Sequence, residues 1–367
     1  MTAPSALSTD LSRSLGIDYP IFGFCHSADV VVALCDAGGI GVLGATRMTP
    51  EEITSALEDI RNRIGDRPFG IDLVLPQGMP ERDDRAAIEA EIPPEHRAFV
   101  ADLAERYGVP AGTGPGMRSR FVRSEEMAAA QIDAVLRSDV DVFAMGIGSP
   151  PGVIGRARSE GKRIVSLIGR PDHARRAIEA GADILVAQGY DAGAHTGTIG
   201  TFSLVPQIVD LAAPLPVLAA GGVATGRHIA AALAMGAQGV WMGTAWLVTE
   251  EAHSDPVVLA KLLAADSDDT VISRADSGKT LRQVRTAWSD EWARPDAVAP
   301  LRMPYQDILV GDLLGAIEEH RVEPLMHSPA GQSIGYFDHL TTVRDVLDGL
   351  VSEAEETLAQ LGARPAG

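Results

Sequence analysis

The hydrophobic positions of the chain fall into eight short apolar runs, and most of these runs are followed by a stretch with helical periodicity. Several joints are built alike: a glycine ends the helix and a buried run starts within about three residues, as at Ala37-Gly38-Gly39 and Ala180-Gly181-Ala182. Short continuous apolar runs are typical of parallel strands that are covered on both faces. The pattern therefore predicts an α/β protein with the (β/α)8 TIM-barrel fold. The predicted strands are 21–24, 41–43, 70–75, 141–145, 163–167, 184–187, 216–219 and 239–242.

Two segments fall outside this regular alternation. Residues 76–122, after the third predicted strand, are rich in proline, glycine and charge, and the strand–helix rhythm stops there. Residues 266–367 follow the eighth unit and contain two helical patterns, over about 307–320 and 341–361. We expect the first segment to be an insertion at the carboxyl ends of the strands. The second is expected to be a helical extension or lid packed on a barrel that occupies residues 1–265.

Glycine turns follow the last two predicted strands. The seventh runs into Ala220-Gly221-Gly222-Val223, and the eighth into Trp241-Met242-Gly243-Thr244. A glycine turn that leads into a helix exposes backbone N–H groups at the positive end of the helix dipole, and no Cβ blocks a phosphate. The loops after strands seven and eight form the common phosphate site of such barrels. We therefore expect a phosphate-bearing ligand, although glycine pairs also serve as plain tight turns.

One histidine lies in the small-residue loop after the sixth predicted strand. The loop reads Gln188-Gly189-Tyr190-Asp191-Ala192-Gly193-Ala194-His195-Thr196-Gly197. Barrel active sites lie at this end of the strands, and histidine, which titrates near neutrality, is the commonest general acid or base. We predict that His195 is catalytic and that the Gln188 amide contacts a ligand ring. The alternatives are a loop histidine bonded to a backbone carbonyl and a core amide, and Asp191 is expected to shape the loop.

Taken in order, these motifs resemble the nitronate monooxygenase family, formerly called 2-nitropropane dioxygenases. The resemblance covers roughly residues 11–250 and includes the Leu15-Gly16-Ile17 opening and the Ala37-Gly38-Gly39 joint. It implies a barrel that binds FMN, uses no metal, and oxidises alkyl nitronates with O2. His195 would then be the catalytic histidine beside the nitro group. The implied cofactor-binding residues are Gln188, Gly193, Gly221, Gly222, Trp241, Met242, Gly243 and Thr244, and we add Asp72 to this set.

The chain departs from the family pattern at the first and third strands. Better-studied members end the first strand with a Gln-Ala-Pro-Met type of sequence where this chain has Gly23-Phe24-Cys25-His26-Ser27, and they commonly carry an asparagine in place of Asp72. We expect Phe24, Cys25 and His26 to line the substrate pocket. A carboxylate beside a flavin that becomes negative on reduction is unfavourable unless it is hydrogen-bonded. Asp72 is therefore expected to accept hydrogen bonds rather than to face the flavin, and simple nitronates are expected to be poor substrates.

Composition excludes several classes of partner. The 367 residues carry a net charge of −19, which argues against nucleic acid or an anionic membrane surface as a partner. The two cysteines imply no disulfide framework, and residues 1–13 lack the apolar core of a signal peptide, so we expect a cytoplasmic protein. No cluster of His, Cys, Asp and Glu has the spacing of a metal site.

The remaining histidines of the helical patterns are not expected to take part in the site. His173, His228 and His253 are expected at the surface, away from the loops at the strand ends.

Four functions remain compatible with the sequence, all with a small-molecule ligand. The first is FMN-dependent oxidation of a nitronate or related carbon acid by O2. The second keeps the flavin but consumes NAD(P)H, as do the enoyl-thioester and quinone reductases of the same broader family. The third is a flavin-free barrel lyase or isomerase that binds a sugar phosphate, and the fourth is a non-catalytic flavin-binding protein. A homodimer is left open as the assembly.

Overall fold

Eight parallel strands close into a barrel in the computed structural model, which describes residues 5–362. The barrel strands are β1 (Ile21–Cys25), β2 (Ile40–Gly44), β3 (Gly70–Val74), β4 (Val142–Gly146), β5 (Arg163–Ile168), β6 (Ile184–Gln188), β8 (Val217–Ala220) and β9 (Gly239–Met242). The ring closes between β1 and β9, where Ile21 is opposite Val240. The predicted (β/α)8 barrel is confirmed, and every predicted strand agrees with the observed one to within one residue at each end. Residues 1–4 of the predicted barrel and 363–367 of the predicted extension lie outside the described residues.

Helices alternate with the barrel strands and continue beyond them. The α-helices within residues 5–362 are α1 (Asp10–Leu15), α2 (Ala28–Asp36), α3 (Pro50–Ile64), α4 (Arg85–Glu91), α5 (Pro94–Arg106), α6 (Glu125–Arg137), α7 (Pro151–Ser159), α8 (Pro171–Ala180), α9 (Thr201–Ala212), α10 (Gly226–Ala234), α11 (Pro256–Ala264), α12 (Ala287–Trp292), α13 (Tyr305–Glu319) and α14 (Val343–Gly362). In this part of the chain, no helix combines the length and the apolar content needed to span a bilayer.

Two layers of apolar side chains hold the barrel together. Successive strand residues point to opposite faces, so Val42 belongs to the cluster inside the barrel, whereas Leu43 packs against the surrounding helices. The interior cluster also contains Phe22, Val142 and Trp241, which come from three further strands. The interior is therefore filled with side chains, and a ligand can enter only at the strand ends.

The chain between β3 and β4 contains two helices in addition to the regular barrel helix α6. These helices, α4 and α5, pack against α13 from the C-terminal part of the chain. Leu103 of α5 shares one buried cluster with Trp288, Val310 and Leu314. The segment predicted as an insertion and the segment predicted as an extension thus pack on each other at the carboxyl end of the barrel.

The sequence pattern predicted a helical C-terminal part, but this part also contains strands. It contributes strands β10 (Thr270–Ser273) and β11 (Leu281–Val284), and β11 also pairs with the two-residue strand β7 (Ala194–His195) in the loop after β6. The sequence pattern missed them because neither β10 (TVIS) nor β11 (LRQV) is a continuous apolar run of the kind that marks the barrel strands, and β7 has only two residues. The division into a barrel over residues 1–265 and an extension over 266–367 stays a prediction.

Candidate active site

A cavity of about 1420 Å³ opens at the carboxyl ends of the barrel strands. It brings together all thirteen residues singled out in the sequence: Phe24, Cys25, His26, Asp72, Gln188, Gly193, His195, Gly221, Gly222, Trp241, Met242, Gly243 and Thr244. These residues meet because parallel strands in a barrel place all their carboxyl ends at one face. Arg118 of the insertion and Lys279 and Ser328 of the C-terminal part complete the walls.

The glycine turns after β8 and β9 leave backbone donors available. Gly221 and Gly222 have φ angles of +95° and +74°, a region that residues with a side chain rarely adopt. A Cβ on Gly221 would also lie 2.8 Å from Thr201 Oγ1, whereas a Cβ on Gly243 would have no neighbour closer than 3.8 Å. The N–H groups of Gly222 and Gly243 donate to no other residue in the described part of the chain. The two turns can therefore accept an anionic group in the cavity.

The N-terminus of α10, which follows the Gly221-Gly222 turn, does not offer free N–H groups to a ligand as the sequence suggested. The N–H of Gly226, at the start of α10, donates to the Glu353 carboxylate at 2.7 Å, and the N–H of Thr225 donates to Nδ1 of His228 at 3.2 Å. After β9 the chain enters a 3₁₀-helix (Thr244–Val248) rather than an α-helix. A phosphate would therefore be held by the glycine turns themselves, because Glu353 from α14 already neutralises the end of α10.

His195 is held in place by one contact to its ring and another to its backbone. Its Nε2 lies 2.9 Å from Ser277 Oγ in the C-terminal part, and its carbonyl oxygen accepts a hydrogen bond from Gln188 Nε2 at 3.1 Å. The preceding Ala194 has φ = +58°, a conformation that a residue with a side chain adopts only when its surroundings impose it. Gln188 thus supports the histidine loop while lining the cavity.

His195 is a neutral imidazole at physiological pH, because its pKa is lowered to about 3. Burial is the largest cause, followed by the positive charges of Arg123 and Arg118. The ring keeps some accessible surface because it borders the cavity, but protein surrounds it. His195 therefore does not titrate near neutrality as an ordinary histidine does, and the loop sequence alone did not reveal the distant arginines whose charges act on it.

Asp72, near the middle of β3, is buried and has no partner for one of its oxygens. Oδ2 accepts no hydrogen bond from any residue within 5–362, and burial raises the pKa of the carboxyl group to about 7. The expectation that Asp72 accepts hydrogen bonds is wrong. The residues opposite it on the neighbouring strands are Gly44 and Ala144, and neither has a side-chain donor. The group is instead a neutral acid up to about pH 7 and can itself donate a hydrogen bond.

The end of β1 forms an aromatic wall of the cavity. Phe24 packs edge-on against His26 with the ring centroids 5.2 Å apart, and it stacks on Trp241 at 6.1 Å. His26 Nδ1 lies 2.8 Å from the carbonyl oxygen of Gly44, and burial lowers the pKa of His26. Burial raises the pKa of the Cys25 thiol to about 12, so Cys25 is not the thiolate that nucleophilic chemistry requires.

A backbone segment of the C-terminal part holds two of the site loops in place. The N–H of Gly331 donates to Thr244 Oγ1 at 2.9 Å, and a Cβ on Gly193 would lie 2.7 Å from the Gly331 nitrogen. The glycine at 193 is therefore required by this close contact. Asp191 shapes its loop as expected, since Oδ2 accepts the N–H of Thr201 at the start of α9 at 3.1 Å.

The other histidines differ in their positions. His228 packs against Tyr336 with ring centroids 5.4 Å apart, and the exposed His253 pairs with Asp29 at 2.6 Å. His173, in the first turn of α8, borders the cavity, so its expected position away from the strand-end loops is wrong. The reason is geometrical, since the helix that follows a barrel strand begins at the same face.

Three cavity arginines were absent from the sequence prediction. Arg47 follows β2, Arg118 belongs to the insertion, and Arg123 comes directly after the insertion, before α6. Asp307, in the first turn of α13, is their common partner, with Oδ1 at 2.7 Å from Arg47 Nη2 and 3.7 Å from Arg118 Nη1. No local spacing relates these residues. The available signal was a group of arginines in the otherwise glycine- and proline-rich segment 107–124.

Comparison with known proteins assigns the chain to a family. The family model described as "NMO: Nitronate monooxygenase" matches residues 8–353. The chain belongs to the nitronate monooxygenase family. The resemblance seen in the sequence is thereby confirmed, and the family is one of oxidoreductases whose members are generally flavin enzymes.

Two relatives and one solved structure illustrate the similarity to this chain. "Putative monooxygenase Rv1533" of Mycobacterium tuberculosis is 42% identical over 369 residues, which cover 97% of this chain and 98% of the relative. A "Probable nitronate monooxygenase" of Staphylococcus aureus is 28% identical, with 88% and 91% covered. The nitroalkane oxidase of Streptomyces ansochromogenes superposes with a TM-score of 0.81 at 27% identity, with 95% and 99% covered.

The match to the nitronate monooxygenase family extends beyond the range found from the motifs. It includes the whole of segment 76–122 and continues through α13 into α14. Arg118, Arg123 and Asp307 therefore lie in the part of the chain that the family model describes.

Proposed function

We propose that this protein is an FMN-dependent enzyme that oxidises alkyl nitronates, or a related carbon acid, with O2. The observation that carries the proposal is that one cavity contains both the open glycine turns and the fixed, neutral His195. Membership of the nitronate monooxygenase family and the similarity to a nitroalkane oxidase support it.

The residues around the cavity fit FMN. Gly222 and Gly243 offer unpaired N–H groups and space for a phosphate. Asp72, as a neutral acid, offers a donor suited to a ring nitrogen or carbonyl oxygen of the isoalloxazine. Gln188, Gly193, Trp241, Met242, Gly221 and Thr244 would complete the binding residues. When bound, the flavin supplies the electron transfer that these side chains cannot perform.

His195 is suited to holding an anion rather than to removing a proton. A group whose conjugate acid has a pKa of about 3 is a weak base. The neutral imidazole can still hydrogen-bond the oxygens of a nitronate that is already ionised. The charges of Arg118 and Arg123 favour an anion in the same region, and a bound anion would raise the pKa of His195 by offsetting these charges.

The size of the cavity favours a second candidate, an NAD(P)H-dependent flavin reductase. Its volume of about 1420 Å³ exceeds the roughly 300–1,000 Å³ common for a single small-molecule site. A flavin ring would therefore leave room for a large second ligand, such as a nicotinamide nucleotide or a thioester. A flavin-free lyase or isomerase would use the same glycine turns for a sugar phosphate, and its purified protein would be colourless.

Anaerobic mixing experiments separate these functions. The purified protein is mixed in turn with propyl-2-nitronate, NADH and NADPH while the flavin absorbance is followed. Bleaching by the nitronate and not by the nucleotides is expected, with reoxidation when air is admitted. Bleaching by NADH or NADPH but not by the nitronate would show that the protein is a flavin reductase instead. Flavin released by heating should run as FMN in chromatography, and FAD or a colourless preparation would contradict the proposal.

Steady-state turnover tests the substrate expectation separately. The residues Phe24, Cys25, His26 and Asp72 differ from the pattern of better-studied members and line the cavity. We expect slow turnover of propyl-2-nitronate in air. Efficient turnover at low substrate concentration would show that these departures do not narrow the substrate range.

A further inference from the structure

The β6–β7 loop (residues 189–193) packs directly against the first glycine turn. A Cβ on Gly222 would lie 3.5 Å from the Cβ of Asp191, and a Cβ on Gly221 would lie 3.0 Å from a backbone nitrogen of the loop. The same loop leads into His195, the second residue of β7. A shift of this loop therefore moves both the turn proposed to hold the phosphate and the candidate catalytic histidine.

Arg282 of β11 holds the β6–β7 loop near both of its ends. Its backbone is opposite Ala194, directly after the loop, in the pairing of β11 with β7. Its side chain extends to the start of the loop, where Nε and Nη2 donate to the carbonyl oxygen of Tyr190 at 3.2 and 3.1 Å. Nη1 donates to Thr270 Oγ1 in β10 at 2.9 Å, which anchors the guanidinium to the C-terminal part. One residue of that part therefore fixes the two ends of the loop relative to each other.

The guanidinium of Arg282 is buried without a carboxylate partner among the described residues. Arg282 is 2% exposed, and its side-chain hydrogen bonds within 5–362 end on neutral oxygens, whereas Arg47 and Arg118 each pair with an aspartate. A buried charge costs free energy unless hydrogen bonds compensate for it. The Tyr190 carbonyl provides this compensation, because a charged donor forms stronger hydrogen bonds than a neutral one. The Tyr190 ring adds a cation–π contact, with its centroid 4.4 Å from Cζ. The loop that it holds, rather than an ion pair, therefore explains the charged residue at this position.

Backbone contacts hold the β6–β7 loop on another side. The N–H of Gln332 donates to the carbonyl oxygen of Asp191 at 2.9 Å, and Gly193 lies against the backbone of Gly331. A substitution at Arg282 removes the side-chain contact and leaves these backbone contacts in place. Arg282 is not among the residues that line the cavity, so it acts on a ligand only through the loop.

We propose that Arg282 is a positioning residue that acts on two parts of the active site through the β6–β7 loop. It keeps the loop seated against the Gly221-Gly222 turn, so that the turn stays open to the cofactor phosphate. It also fixes the point at which the chain enters β7, and with it the position of His195. The proposal rests on the proposed function only in assigning the phosphate to FMN and His195 to turnover.

Hydrogen–deuterium exchange tests the position of the loop without requiring flavin or turnover. The full-length protein is compared with Arg282→Gln, which removes the charge and both donors to the Tyr190 carbonyl. We expect the amides of residues 189–197 to exchange at least about 10-fold faster in the variant, because the lost charge-assisted hydrogen bonds make opening of the loop easier. Exchange in α3, on another side of the barrel, should be the same in both proteins. Equal exchange in the loop would overturn the proposal.

Flavin affinity and turnover separate a positioning role from a purely structural one. FMN binding is followed by the quenching of its fluorescence, at a temperature at which circular dichroism shows every protein to be folded. We expect Arg282→Gln to raise the Kd of FMN by about 10-fold or more and to lower kcat at saturating FMN. A variant that melts at a lower temperature but keeps the Kd and kcat of the unmodified protein would have lost stability alone. That result, or an unchanged value of either quantity, would overturn the proposal.

Two milder variants and one control assign the effect to the guanidinium. Arg282→Lys keeps a charged donor for the Tyr190 carbonyl and should recover part of the FMN affinity that the glutamine variant loses. Thr270→Val removes only the acceptor of Nη1 and should raise the Kd by a smaller factor, about 3-fold. The control is Arg285→Gln, because Arg285 directly follows β11, is exposed and pairs with Asp290 at 2.8 Å. Effects in this control equal to those of Arg282→Gln would overturn the proposal.

The experiments remain decisive if a variant or the proposed reaction fails. Should Arg282→Gln not fold, Thr270→Val takes its place, and unchanged exchange and FMN affinity in that variant would overturn the proposal. If the loop exchange and the Kd of FMN respond as expected but propyl-2-nitronate does not reduce the flavin of the unmodified protein, the proposed oxidation falls. The role of Arg282 in holding the loop against the cofactor turn would then stand.

Discussion

The ring of His195 is held by Ser277, whose hydroxyl oxygen lies 2.9 Å from Nε2 although the two residues are 82 positions apart. Ser277 is fully buried between β10 and β11. The orientation of the candidate catalytic histidine therefore depends on the C-terminal part of the chain rather than on the barrel alone. Strand β7, which carries His195, pairs with β11 of that same part.

Ser277→Ala is expected to lower turnover without releasing the cofactor. The change removes one neutral hydrogen bond, which contributes about 1 kcal/mol, so we expect kcat to fall by about 10-fold or less. Flavin content should match that of the unmodified protein. A kcat unchanged within error would show that the contact does not position His195. Combining Ser277→Ala with His195→Asn should add little further loss, because both changes act on one group.

His195→Asn is expected to reduce turnover by about 100-fold while leaving the flavin bound, since it removes a positioned hydrogen-bonding group beside the substrate anion. Because His195 is too weak a base to remove the proton of a neutral nitroalkane, the loss should be similar with the preformed nitronate and with the nitroalkane. His253→Asn is the matched control, because His253 is exposed, pairs with Asp29 and does not line the cavity. Kinetics equal to those of the control would return His195 to a purely structural role.

The sequence predicted the barrel and the cavity residues well for a physical reason. Continuous apolar runs mark buried parallel strands, and the barrel fold itself places their ends together, so residues as distant as Phe24 and Thr244 could be assigned to one cavity. The electrostatics of the site depend instead on contacts that no local pattern records. Arg47 meets Asp307 across 260 positions, and Glu353 caps Gly226 across 127. The pKa of His195 was therefore not predictable from its loop.

Asp72→Asn is expected to change how the stability of the flavin-free protein depends on pH. In the folded protein Asp72 keeps its proton up to about pH 7, whereas in the unfolded chain it ionises above its ordinary pKa near 4. The folded state thus holds one more proton between these values, and stability is lost as the pH rises through this window. The Asp72→Asn protein has no carboxyl group at this position and does not lose stability in this way. Relative to the unmodified protein it should gain about 2–3 kcal/mol between pH 5 and pH 8.

Urea unfolding at pH 5 and pH 8 measures the free energy of unfolding of the variant and of the unmodified protein. The contributions of the other titrating groups are common to both proteins and cancel in the difference between them. A constant difference between the two proteins would show that Asp72 is ionised in the folded state. In the flavin-loaded form, the variant should keep its cofactor, because the asparagine amide also offers a hydrogen-bond donor, and should change its substrate kinetics. Loss of flavin would show that the carboxyl group itself is required to hold the cofactor.

Gly222→Val is expected to abolish flavin retention, and Gly65→Val separates this effect from backbone strain. Both glycines have positive φ angles, +74° and +65°, so a side chain at either costs about 1–3 kcal/mol of stability. Gly65 ends α3 and does not line the cavity, whereas Gly222 does. Both variants should therefore unfold at lower temperature, but only Gly222→Val should be purified without flavin. A Gly222→Val protein with a full complement of flavin would show that the phosphate does not bind at this turn, because any side chain there would occupy the space that the phosphate requires.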